Sequence, residues 1–174
     1  MRPSFVLLDP SQKVMVAERL TPLDSAMRIQ EVIGPKGGWI GIKDVGLWVY
    51  VPRNAVSKRT IFSITAVPGN LVAYEFGPHG TRFNVPLDVF QLPGKHGVKI
   101  KDGEDPANLE AGYFPGLNQL LPSAGEAMVD EILPVTFDPQ HGTFRFQVDH
   151  FSGYLLASGR HKNSNASNGA NGGS

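Results

Sequence analysis

The chain has 174 residues, enough for one domain with a sizeable core, and sets 16 Lys and Arg against 16 Asp and Glu. That neutrality provides no overall field toward nucleic acid or an anionic membrane surface, so neither is an expected partner. The absence of cysteine excludes disulfides, thiolate metal sites and a cysteine nucleophile.

Twenty glycines and fourteen prolines are too many for a helical bundle and suit short strands joined by tight turns, so the expected class is all-β. The first apolar stretch, residues 5–8, is stopped by Asp9 and Pro10. It is too short for a signal-peptide core or a membrane span, so no membrane insertion is expected and a cytoplasmic location is the default. KVMVAERL (13–20) and MRIQEVI (27–33) each fit a strand or a short amphipathic turn, and 1–32 reads as an N-terminal arm.

After the turn cluster at 34–38 the alternation becomes regular. GWIGIKDVGLWVYVP predicts a hairpin with a half-buried sheet, in which Ile40 and Ile42 share one face and Leu47, Val49 and Val51 share a face. Further strands are expected at 60–67, 71–76 and 83–90, the last two joined by Gly77, Pro78, His79 and Gly80. Short strands at this spacing, with no helical segments between them, favour an antiparallel β-sandwich. Residues 92–125, rich in Pro and Gly, read as a long irregular loop and as the variable contact surface. Strands return at 128–137, 143–150 and 153–157. The stretch 159–174, GRHKNSNASNGANGGS, has no apolar residue larger than alanine and is expected to be a disordered tail. Asn165, Ala166 and Ser167 match a glycosylation acceptor, a match that arises readily by chance in such a composition.

Three collinear segments, IGPKGGWIGIKDVGLWVYVPRNAV (33–56), YEFGPHGTRFNVPLDVF (74–90) and FRFQVDHFSGYLLAS (144–158), resemble the ZU5 domain family, in particular its bacterial ZU5-like members. The resemblance covers 33–158 and implies a ZU5-like β-sandwich over that range. It also implies an interaction or autoinhibitory role. The arm before Ile33 and the 92–125 stretch match nothing in the family pattern.

The triplet His150, Phe151, Ser152 carries the sharpest chemical expectation. The resemblance implies it, because some ZU5-containing scaffolds cleave their own backbone between the Phe and the Ser of such a triplet. Ser152 Oγ would attack the scissile Phe151 carbonyl carbon in an N-to-O acyl shift, with His150 as general base and water hydrolysing the ester. The plainer alternative makes His150 a strand residue, Phe151 a core residue and Ser152 with Gly153 a turn.

His79, in its glycine-flanked bend, fits either a ligand contact or a hydrogen bond to a nearby carbonyl. Asp102, Glu104 and Asp105 lack the spacing of a calcium loop. Histidines at 79, 96, 141, 150 and 161 lack the spacing of a zinc helix. No metal or cofactor is expected, and no nucleophile elbow, phosphate loop or dinucleotide fingerprint occurs. Trp39, Trp48, Tyr50, Tyr113 and Phe114 form either an aromatic recognition surface or ordinary sheet packing.

Three readings follow. The first is a non-catalytic structural or protein-interaction module whose partner is another protein. The second is a self-cleaving domain using Ser152 and His150. The third is a carbohydrate-binding sandwich.

Overall fold

The alternation at 38–51 decides the smaller of the two main sheets. In the computed structural model, which describes Val6–Leu7 and residues 13–160, the Gly38–Ile42 and Leu47–Val51 strands pair from Gly38 with Val51 to Ile42 with Leu47. A single 3-10 turn, Lys43–Val45, joins them and ends on Gly46 in the left-handed conformation. The sheet continues antiparallel through Arg82–Gln91, Thr143–His150 and Thr136–Asp138. Leu47, Val49, Leu87, Val89, Phe146 and Val148 point inward and are buried. Period-2 patterning places their neighbours Trp48, Tyr50, Asp88 and Phe90 on the outer face.

The larger sheet has ten antiparallel strands and curls. Its centre is Gly153–Arg160, which pairs with Glu110–Phe114 on one side and with both Ala73–Gly77 and Lys13–Val16 on the other. Buried on both faces, its run Tyr154, Leu155, Leu156, Ala157 is apolar throughout and does not alternate. Tyr154 and Leu156 join the main core between the sheets. Leu155 and Ala157 join a second cluster with Val14, Val16, Phe114, Ala127 and Ile132. From Ala73–Gly77 the sheet branches through Thr60–Ala66 to Met27–Ile33, and a two-stranded ribbon of Glu18–Leu23 and Gly69–Leu71 lies apart. The described residues contain no α-helix, and the all-β, antiparallel expectation holds.

Three expectations about segments change. Residues 13–33 are strands built into the sheets and not a separate arm, because the apolar positions of Lys13–Val16 complete the second cluster. The 92–125 stretch is irregular to about residue 109 but then supplies Glu110–Phe114, an interior strand between Glu131–Leu133 and Gly153–Arg160. Its Gly112 read as a turn signal, yet it permits a close approach: a Cβ there would stand 2.9 Å from Val129 Cγ1 and 3.0 Å from Leu155 Cδ1. The strand expected at 128–137 is three short ones, Glu126–Met128, Glu131–Leu133 and Thr136–Asp138, the last of which belongs to the other sheet. The last strand runs on to Arg160, and the tail expectation, with its Asn165 acceptor, otherwise falls outside the described residues.

Candidate functional site

Two elements cross from one sheet to the other side by side. Residues 77–81 link Ala73–Gly77 of the larger sheet to Arg82–Gln91 of the smaller, and residues 151–152 link Thr143–His150 of the smaller to Gly153–Arg160 of the larger. Backbone bonds join them along their length. Phe151 N–H donates to Thr81 O at 2.9 Å, Gly80 N–H donates to Phe151 O at 2.9 Å, and Phe76 N–H donates to Ser152 O at 2.8 Å. The G-P-H-G and H-F-S elements, some seventy residues apart, therefore form one structural unit.

Within it Phe151 is 1% exposed and sits among Phe83, Phe76 and Phe62 at centroid distances of 4.7, 5.2 and 5.6 Å. His150, also buried, presents Nδ1 to Asp149 Oδ1 at 2.8 Å, and its Nε2 lies 3.8 Å from Glu131 Oε2. The ring of Tyr113 lies against it at 4.6 Å, and Tyr154 O–H donates to the His150 carbonyl at 2.6 Å. Its hydrogen-bonding edge is turned to carboxylates.

The imidazole beside Ser152 belongs to His79, whose Nδ1 is 3.4 Å from Ser152 Oγ. The other ring nitrogen of His79 lies 4.0 Å from Glu75 Oε2. A hydroxyl, an imidazole, a carboxylate beyond the imidazole and an amide donor on the adjacent carbonyl thus meet at the Phe151–Ser152 peptide. Phe151 and Ser152 both keep a negative φ. Gly153 follows because a Cβ there would lie 2.2 Å from the Phe114 ring. Sequence reasoning missed the Ser152–His79 contact, and the only available signal was the placement of His79 in a glycine-flanked bend.

The aromatic residues divide. Trp39, 55% exposed, and Tyr50, 36% exposed, stand on the outer face of the smaller sheet with ring centroids 4.9 Å apart and planes 46° apart. Phe90 joins them 5.7 Å from Trp39, and Trp48 is its cross-strand neighbour. Arg145 lies over the Phe90 ring at 5.9 Å while its Nη2 donates to Asp88 Oδ1 at 2.7 Å. Gln147 donates to the same oxygen at 3.1 Å. Tyr113 instead packs on His150, and Phe114 is fully buried in the second cluster.

A buried polar network had no sequence signal. Arg19, 1% exposed, donates Nη1 to Tyr74 Oη at 3.2 Å and to His96 O at 2.9 Å. Tyr74 O–H donates to Gln91 Oε1, and Gln91 donates on to Val45 O at 2.7 Å. Burial pushes the Tyr74 phenol above its ordinary value, with Arg19 pulling the other way. Among the described residues Arg19 Nε and Nη2 have no hydrogen-bond partner.

Glu104 and Asp105 accept bonds from Lys101 N–H and Ala107 N–H and so cap their own turns. Among the described residues no group of three His, Asp or Glu is placed to hold a metal ion, and no helix is long and apolar enough to cross a membrane. No protein-family model matches this sequence, and comparison with curated proteins gives no match.

Proposed function

We propose that this chain is a non-catalytic, ZU5-like β-sandwich module that binds another protein. The observation that carries the proposal is the outer face of the smaller sheet, where Trp39 and Tyr50 stand exposed beside Trp48, Phe90 and the Asp88–Arg145 pair. Trp, Tyr and Arg dominate binding energy at protein interfaces, and an exposed apolar patch rimmed by polar groups is characteristic of an interaction surface. This face replaces the 92–125 stretch as the favoured contact surface, since that stretch contributes an interior strand. The tilt between the rings gives no flat strip for a sugar, which disfavours the carbohydrate reading.

The test is affinity capture from the native organism's extract with the wild-type chain and a Trp39→Ala/Tyr50→Ala variant of verified fold. A specific protein retained by the former and lost by the latter is expected. Equal retention by both, or elution of bound material by free glycans, overturns the reading.

One observation favours self-cleavage as a second reading, with His79 in the place first given to His150. Ser152 Oγ would attack the Phe151 carbonyl carbon as its proton passes to His79 Nδ1, 3.4 Å away. The Gly80 amide, already on Phe151 O, would stabilise the oxyanion. The C–N bond would then break as the Ser152 nitrogen takes the proton and becomes the free amine, and water would hydrolyse the ester to the Phe151 carboxylic acid and the Ser152 hydroxyl.

A further inference from the structure

Proteins blunt the edges of their sheets, because a free edge presents unpaired backbone N–H and C=O groups to any extended chain. Most sheet ends here follow that rule by shortness. Val6–Leu7 and Leu120–Leu121 have 2 residues each and Thr136–Asp138 has 3. Two ends do not. Among the described residues Met27–Ile33, of 7 residues, pairs only with Thr60–Ala66, without proline and without a register shift. Gly38–Ile42, of 5 residues, pairs only with Leu47–Val51.

These two long edges approach each other and, at the Met27 end, flank a groove of about 550 Å³ lined by Met27, Ile29, Ile42 and Trp48. Met27 and Ile29 are half-buried against the main core, while Arg28 is exposed. The groove's charged rim is Arg28, Lys43 and Asp44, two cations to one anion, with exposed Glu31 farther along the same strand. On the outer face of the same edge, Val32 and its cross-strand partner Ile61 are 50% and 59% exposed.

We propose that this groove takes an extended peptide segment of a partner, added as a strand to Met27–Ile33, with large apolar side chains directed inward and at least one carboxylate meeting Arg28 or Lys43. The inference deepens the module reading and rests on it. An open backbone edge offers its N–H and C=O groups as a template for another backbone, the apolar lining selects alternate side chains, and the rim selects the sign of charge.

The probe is a set of fluorescein-labelled heptapeptides alternating Leu or Val with Glu, read by anisotropy on the full chain. Matched sets carry Lys for Glu, or N-methyl groups on alternate residues of either register. Saturable binding of the Glu set is expected, weakened at least tenfold by Lys replacement and by N-methylation in one register only. An Arg28→Glu/Lys43→Glu variant, both positions being exposed, should reverse the preference toward the Lys set, and bound peptide should slow amide exchange within 27–33. Failure of every set to bind, or binding indifferent to N-methylation, overturns the proposal. A concentration-dependent dimer that protects 27–33 without peptide assigns the edge to a second copy and also overturns it. A partner captured through Trp39 and Tyr50 that leaves exchange at 27–33 unchanged refutes the strand addition while the module reading stands.

Discussion

The Gly80 amide donates to the Phe151 carbonyl at 2.9 Å and so ties together the two crossovers between the sheets. The same bond can serve as a structural clasp or as an oxyanion donor. The distinction lies in whether the Phe151–Ser152 peptide survives, and the module reading expects that it does.

Intact mass of freshly purified protein under denaturing conditions should therefore be a single full-length value, unchanged in Ser152→Ala. Fragments meeting between Phe151 and Ser152, absent from that variant, would replace the module with self-processing. In that event His79→Ala should stop the cut and His150→Ala should not, since the 3.4 Å contact to Ser152 belongs to His79.

Phe151 is the hub of the aromatic cluster, with three ring neighbours within 5.6 Å. Phe151→Ala should destabilise the fold by about 3–5 kcal/mol through lost transfer free energy and the cavity left behind. Urea denaturation checks this, and a loss below about 1.5 kcal/mol would mean that the site collapses around the smaller side chain.

Arg19 buries a cation whose Nε and Nη2 meet no acceptor among the described residues, a costly arrangement that an apolar side chain of similar length relieves. Arg19→Met should leave stability within about 1.5 kcal/mol of wild type, or raise it, at the expense of the bonds to Tyr74 Oη and His96 O. Arg19→Ala, which also removes the packed stem, should cost about 2–5 kcal/mol. A Met variant as damaged as the Ala variant would show that the guanidinium itself is needed.

Burial raises the Tyr74 phenol from its ordinary 10.0, and the sign of the consequence follows by linkage. The neutral form is favoured in the folded state, so its contribution is fully present below about pH 10 and is lost as pH rises through the folded value. Alkaline denaturation should begin above about pH 10, and Tyr74→Phe should lose stability less steeply there. Parallel curves for the two proteins would place the alkaline sensitivity elsewhere.

Local pattern carried the hairpin at 38–51 and the Thr143–His150 strand, because alternation with one wet face is visible residue by residue. It failed at Glu110–Phe114, where Gly112 and flanking prolines imitate a loop, and at Lys13–Val16, whose apolar face is covered only by distant strands. The His150–Phe151–Ser152 triplet stands out in the sequence, but the contact of Ser152 with His79 does not.

The sequence by itself determined the class: neutral charge, no cysteine, abundant Gly and Pro, and short alternating runs admit an all-β chain with its aromatics spread over several strands. Only tertiary structure decided which imidazole meets Ser152, which aromatics face solvent and which strand edges stay open. Each of these is a relation between segments tens of residues apart. It is set by sheet order and crossover geometry, which local periodicity does not encode.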